Sequence, residues 1–109
     1  METLQFPKTL RVMAEYGSSG IWVVEPTGPF RHGMIEHQAL RLPSELAGRF
    51  AAWIDDYWQV LDAPDQFDKS KFVATGRKLA RDLKAFVGSE VRVLYAAEGD
   101  VRRDEEILT

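Results

Sequence analysis

Two stretches of this chain place apolar residues at helical spacing on either side of a short proline-containing connector. That pairing limits the fold more than any other feature. Over residues 44–61, Leu46, Phe50, Trp53, Ile54, Tyr57 and Leu61 fall within a sector of roughly 100° at helical periodicity. Pro43, Ser44 and Glu45 mark its start, because proline is tolerated in a first turn and an acid suits the positive end of the helix dipole. Over residues 69–87, Phe72, Gly76, Leu79, Ala80, Leu83 and Val87 form a second stripe, with Lys71, Arg77, Lys78, Arg81 and Lys84 on the opposite side. Asp68 is placed to cap this helix and Gly88 to close it as a left-handed residue. Gly76 and Ala80 are small enough to admit a neighbour closely, and Pro64 separates the two helices.

Each stripe needs a surface to bury against, and the flanking segments supply a sheet. Leu10, Val12, Ala14 and Tyr16 alternate with Arg11, Met13 and Glu15, the pattern of a half-buried strand over residues 10–16. Gly17-Ser18-Ser19-Gly20 is a turn, and the β-branched and aromatic run over residues 21–25 returns as the second arm of an antiparallel hairpin. Pro26-Thr27-Gly28-Pro29 ends that strand. Met34 and Ile35 suit a short edge strand or a surface loop equally. A further strand is expected over residues 90–97, where Val91, Val93 and Tyr95 alternate with Arg92 and Leu94. The order is β-β-α-α-β, an α+β fold of two layers: a small, mostly antiparallel sheet covered on one face by an αα-hairpin. The last strand runs antiparallel to the second, lying either beside it or on the far side of the first and parallel to that strand. Trp22, Trp53 and Phe72 are expected to contribute most to the core.

A chain of 109 residues has room for one such domain, with residues 1–8 and 99–109 expected as loosely held termini. Hydrophobic residues make up 45% and charged residues 28%, the balance of a globular rather than a disordered chain. The net charge of -3 disfavours nucleic acid or an anionic membrane as ligand. No run approaches the ~20 apolar residues that span a bilayer, and the N-terminus lacks the basic and apolar regions of a signal peptide, so a cytoplasmic location is expected. The chain has no cysteine, which removes disulfides and thiolate metal sites.

Candidate chemistry is sparse. His32 and His37 lie five apart in a weakly patterned loop without the spacing of a zinc site, and loop histidines exposed to solvent are the simpler reading. Asp62, Asp65 and Asp68 lack the alternate acids, central glycine and terminal glutamate of a calcium loop. Asp55 and Asp56 are adjacent, so on a helix they point ~100° apart and do not converge on one substrate. Ser18 and Ser19 lack the setting of a nucleophile elbow. No cofactor, no metal and no catalytic residue is expected. The basic side of the second helix has few aromatics among its cations and reads as a solvated face.

What remains is recognition. Asp55, Asp56, Asp62, Asp65 and Asp68 fall within residues 51–68 without an intervening Lys or Arg, beside Trp53, Tyr57 and Trp58. Trp58 sits at the margin of its stripe, and aromatics so placed commonly anchor interfaces. Asp104-Glu105-Glu106 would extend the negative surface if the tail folds back.

The segments LRVMAEYGSSGIWVVEPTG (10–28) and FVATGRKLARDLKAFVGSEVRVLY (72–95) resemble small bacterial immunity proteins of polymorphic toxin systems, including contact-dependent growth inhibition. The shared motifs are structural: the hairpin with its turn, a helix with Gly76, Arg77 and Leu79, and a closing strand. Residues 30–68 depart most from the family pattern, as a partner-specific surface would. The resemblance implies a non-enzymatic protein that binds a cognate toxin domain one to one. With the acidic surface it points to a nuclease toxin, whose phosphate-holding site is basic. Asp55, Asp56, Trp58, Asp62 and Asp65 are the expected partner-binding residues. The alternative is a structural homodimer or assembly subunit, pairing through an exposed sheet edge.

Overall fold

The computed structural model describes residues 6–24, 33–97 and 104–108. The expected strand break at 26–29, His32 and residues 99–103 of the tail lie outside them. The elements are β1 (Thr9–Met13), β2 (Ile21–Val23), β3 (Gly33–Met34), α1 (Ser44–Tyr57), α2 (Gln59–Asp62), a 3-10 turn (Pro64–Gln66), α3 (Lys69–Val87), β4 (Arg92–Ala96) and β5 (Glu105–Ile107). The strands form one sheet in the order β3-β2-β1-β4-β5, and only the β1–β4 pair is parallel. The α+β class and the mostly antiparallel sheet under a helical layer are therefore as the sequence implies. Two edge strands join the three expected: β3, the edge-strand reading left open at Met34, and β5, which was not expected.

The position of β4 follows from strand length. β1 offers five residues, and all five pair with Arg92–Ala96 of β4, whereas β2 has only three and its outer edge is taken by β3. β1 thus becomes the central strand. Leu10 and Val12, both 0% exposed, pair across to Val93 and Tyr95 on one side and to Val23 and Ile21 on the other. These side chains meet Leu46, Phe50, Trp53 and Ile54 of α1 and Phe72, Leu79, Ala80, Leu83 and Val87 of α3 in a single core cluster. Asp68 caps α3 as expected, its carboxylate accepting from the Lys71 N–H at 3.0 Å, and Gly88 ends the helix at φ 94°.

Several expectations require correction. Trp22 is not a core residue: it is half-buried and pairs with Arg11, so it lies on the sheet face away from the helices. Its indole N–H donates to the Met13 carbonyl at 3.0 Å. The first helix does not run unbroken to Leu61. The Trp58 N–H bonds back to Asp55, three residues earlier, and this tighter turn shifts the next one out of register, leaving Leu61 62% exposed. The described parts of the termini are docked rather than loose. Pro7 is buried, Phe6 packs edge-on against Phe86, and Glu105–Ile107 forms a strand on β4.

The alternation of residues 104–106, leading into β5, sends three acids to three different cations. Asp104 meets Arg11 on β1, Glu105 meets Arg77 on α3, and Glu106 meets Arg92 on β4. The tail therefore folds back but neutralises basic residues, and does not extend an acidic surface. The cationic side of α3 is correspondingly engaged in part: Arg77 with Glu105, and Lys78 with Asp82.

Candidate functional site

The exposed end of α1 is organised by ring stacking. Tyr16, in the β1–β2 turn, lies 4.6 Å from Tyr57 between ring centroids at 24°, and 4.7 Å from Trp58. Tyr57 stacks in turn on Phe72, and Phe72 on Trp53 at 4.8 Å, so the surface rings continue into the core. Trp58 itself is 41% exposed and held by a neighbour rather than loose. Interface hot spots are commonly large aromatics of this kind, because little side-chain freedom remains to be lost on binding.

The turn that carries Tyr16 is fastened from below. Gly17 (φ 71°) and Gly20 (φ 83°) take the left-handed conformations it requires. Ser19 is buried. Its hydroxyl donates to the Ile35 carbonyl at 2.6 Å and accepts from the Ile21 N–H at 3.2 Å. The Ser19 carbonyl accepts from His37 Nε2 at 2.8 Å, which places the ring proton on Nε2. His37 is thus half-buried and structural, not the solvent-exposed loop histidine expected.

Between this turn and α1 runs a groove lined by Ser18, Ser19, Met34, Glu36, Asp55 and Trp58 among others. Two of its lining residues, Glu36 and Asp55, are acids, and among the described residues no lysine or arginine lines it. A second depression, between the end of α1 and the start of α3, is lined by Asp56, Gln59, Phe67, Asp68, Lys71 and Thr75 among others.

All five predicted interface residues are exposed, and they stand at different features of the surface. Asp55 and Trp58 border the hairpin groove, and Asp56 borders the α1–α3 depression. Asp62 ends α2 and Asp65 stands in the 3-10 turn, on the connector between the helices. Among the described residues no ion pair engages Asp55, Asp56, Asp62 or Asp65. Glu36 and Met34 carry no periodic signal in the sequence and were missed. Only the tertiary approach of residues 34–37 to the hairpin turn brings them to the groove.

Among the described residues no group of three or more His, Asp or Glu is arranged to hold a metal ion. No described helix is long and apolar enough to cross a membrane. The chain matches no curated protein. Residues 8–98 match the family model described as Serratia CdiI immunity protein-like. The match runs from the start of β1 past the end of β4, covering the hairpin, both long helices and the central strands. On that breadth of agreement, the chain belongs to the Serratia CdiI immunity protein-like family.

Proposed function

We propose that this protein neutralises a cognate toxin domain by binding it one to one in the cytoplasm of the producing cell. In this reading it acts by shape and charge rather than by making or breaking bonds. The observation that carries it is Trp58: a large ring, 41% exposed, braced by Tyr16, among carboxylates that no described cation pairs. Membership of an immunity-protein family supports a toxin as the partner. Asp55, Asp56, Trp58, Asp62 and Asp65 contact it. The toxin is a nuclease, because an active site built to hold phosphates is basic and complements a fixed negative surface. Charge then speeds the encounter, and burial of the indole slows release.

The alternative of a homodimer paired through sheet edges has less to work with. The outer strands β3 and β5 have two and three residues, and short edges limit strand pairing between chains.

Calorimetry with the toxin domain encoded immediately upstream tests the proposal. Asp62→Ala with Asp65→Ala should weaken binding while leaving the circular dichroism spectrum unchanged. Trp58→Ala should weaken it by about 30-fold, the range of an interface hot spot. Full affinity in both variants would remove this surface from the interface. No binding by the wild-type protein would end the proposal.

A further inference from the structure

The groove between the β1–β2 turn and α1 has stiff walls. Its turn side is tied to the following segment through Ser19, by the hydroxyl to Ile35, the carbonyl to His37, and the N–H to the Met34 sulfur at 3.2 Å. Its other wall is α1, with Ile54 buried beneath and Asp55 and Trp58 at the rim. Preorganisation of this kind lowers the cost of binding, since neither wall must be ordered when a partner arrives.

The lining has a definite chemistry. Two large apolar side chains stand exposed at the groove, Met34 at 42% and Trp58 at 41%. Among the described residues that line it, Glu36 and Asp55 carry negative charge and none is a lysine or arginine, while the lining His37 is tied to the Ser19 carbonyl. An apolar anchor would strip water from the carboxylates without replacing their hydrogen bonds, and an acidic one would be repelled. A side chain with an apolar stem and a cationic end satisfies both parts. Its stem covers thioether and indole, its charge is attracted to the face of the tryptophan ring, and the carboxylates accept charge-assisted hydrogen bonds.

Resting on the toxin-binding reading above, we infer that this groove is the anchor site for one arginine or lysine side chain of the partner protein. The stem lies along Met34 and Trp58 and the cation is held by Glu36 and Asp55. The inference adds Met34 and Glu36 to the interface and makes the hairpin side of α1, rather than the connector, its centre.

Two measurements on the full chain test it. In the first, isotope-labelled protein is titrated with N-acetylarginine amide and separately with N-acetylcitrulline amide, its neutral isostere, while the Trp58 indole N–H signal is followed by NMR. The arginine probe should give a saturable shift of that signal and of the Ser18 and Ser19 amides. The citrulline probe should give a much smaller shift, and Glu36→Gln with Asp55→Asn should abolish the response. Equal shifts with citrulline, or an undiminished response in the double variant, overturn the assignment. In the second, the same double variant should bind the upstream-encoded toxin domain about 30-fold more weakly than wild type. If wild type binds and the double variant binds equally well, the groove assignment falls while the toxin-binding reading stands. If wild type does not bind at all, both fall. Both substitutions are at exposed positions and nearly isosteric, and an unchanged amide spectrum elsewhere confirms the fold.

Discussion

Gly76 of α3 lies so close to Trp53 of α1 that a β-carbon built on it would stand 2.6 Å from the Trp53 ring. The same carbon would come within 2.6 Å of the Tyr95 ring. Both rings are buried, at 1% and 2% exposure, and the Trp53 N–H is already committed to the Phe72 carbonyl at 3.0 Å, so neither can give way cheaply. This contact seats α3 against α1 and β4 together. Gly76→Ala should destabilise the protein by about 1–3 kcal/mol through overpacking, reduced by the ~1 kcal/mol that alanine gains over glycine in a helix. Gly48→Ala, where the added carbon meets nothing within 4 Å, should instead stabilise by about 0.5–1 kcal/mol. Urea unfolding of the two variants should move the midpoint in opposite directions.

Arg11 and Asp104 join the first strand to the last. The guanidinium donates two hydrogen bonds, at 2.9 and 2.6 Å, to the two carboxylate oxygens, and the side chains are only 17% and 20% exposed. Arg11→Met should cost about 1.5–3 kcal/mol, since it leaves a partly buried carboxylate without its cation. Arg11→Met with Asp104→Leu should cost less than the sum of the two single changes. A double-mutant cycle by denaturant unfolding measures the difference, and additivity would mean the pair contributes nothing as a pair.

Glu106 makes β5 sensitive to acid. Hydrogen bonding from the Arg92 guanidinium, at 2.9 and 3.3 Å, holds its carboxyl below the usual 4.5; the charges of Arg92 and Lys84 act in the same direction and partial desolvation opposes them. A carboxyl depressed in the folded state contributes stability that is complete above its unfolded value and lost as pH falls through the folded one. Amide protection in β5 should therefore hold above about pH 4.5 and decline below it, more weakly at high salt because the pair faces solvent. Hydrogen exchange of the Ile107 amide across a pH series checks this. Arg92→Gln should lower protection of β5 above about pH 4.5 and flatten the decline below it, because most of what depresses the folded carboxyl is gone, and an undiminished decline would contradict the account.

Among the described residues, Asp68 alone of the clustered aspartates accepts a capping hydrogen bond, from the Lys71 N–H in the first turn of α3. Asp68→Ala should cost about 0.5–2 kcal/mol and Asp68→Asn much less, because asparagine caps nearly as well. Thermal unfolding of the two variants separates loss of the cap from loss of charge. An equal effect of both would indicate that charge, not capping, is what matters at this position.

Legibility in the sequence followed range. The helical stripe of α1 as far as Tyr57, that of α3, the Asp68 cap, the Gly88 stop and the hairpin turn are set by residues within a few positions of one another, and each formed where expected. Trp22 was misassigned because alternation reports which residues share a face, not which face meets the helices. Leu61 was misassigned because one tightened turn at Trp58 ends the periodicity without proline or glycine to mark it. Among the candidate site residues, exposure was readable for all five: the four acids lie on the polar side of an amphipathic helix or in its connector and face water, and Trp58 sits at the margin of its apolar stripe. The division of Asp55 and Trp58 from Asp56 between two grooves was not, because it depends on what packs against each side of α1.

By itself the sequence determined the hairpin, the two long helices and the strand after them, the side of each long helix that seeks the core, and a surplus of carboxylates on the α1–α3 connection. These are consequences of periodicity and local chemistry, which act along the chain. The tertiary structure alone decided that β4 lies parallel to β1, that the acidic tail is spent on Arg11, Arg77 and Arg92, and that Glu36 and Met34 stand opposite Asp55 and Trp58. Those outcomes depend on matching strand lengths and on contacts between residues far apart in sequence, and no pattern within a window of the chain carries that information.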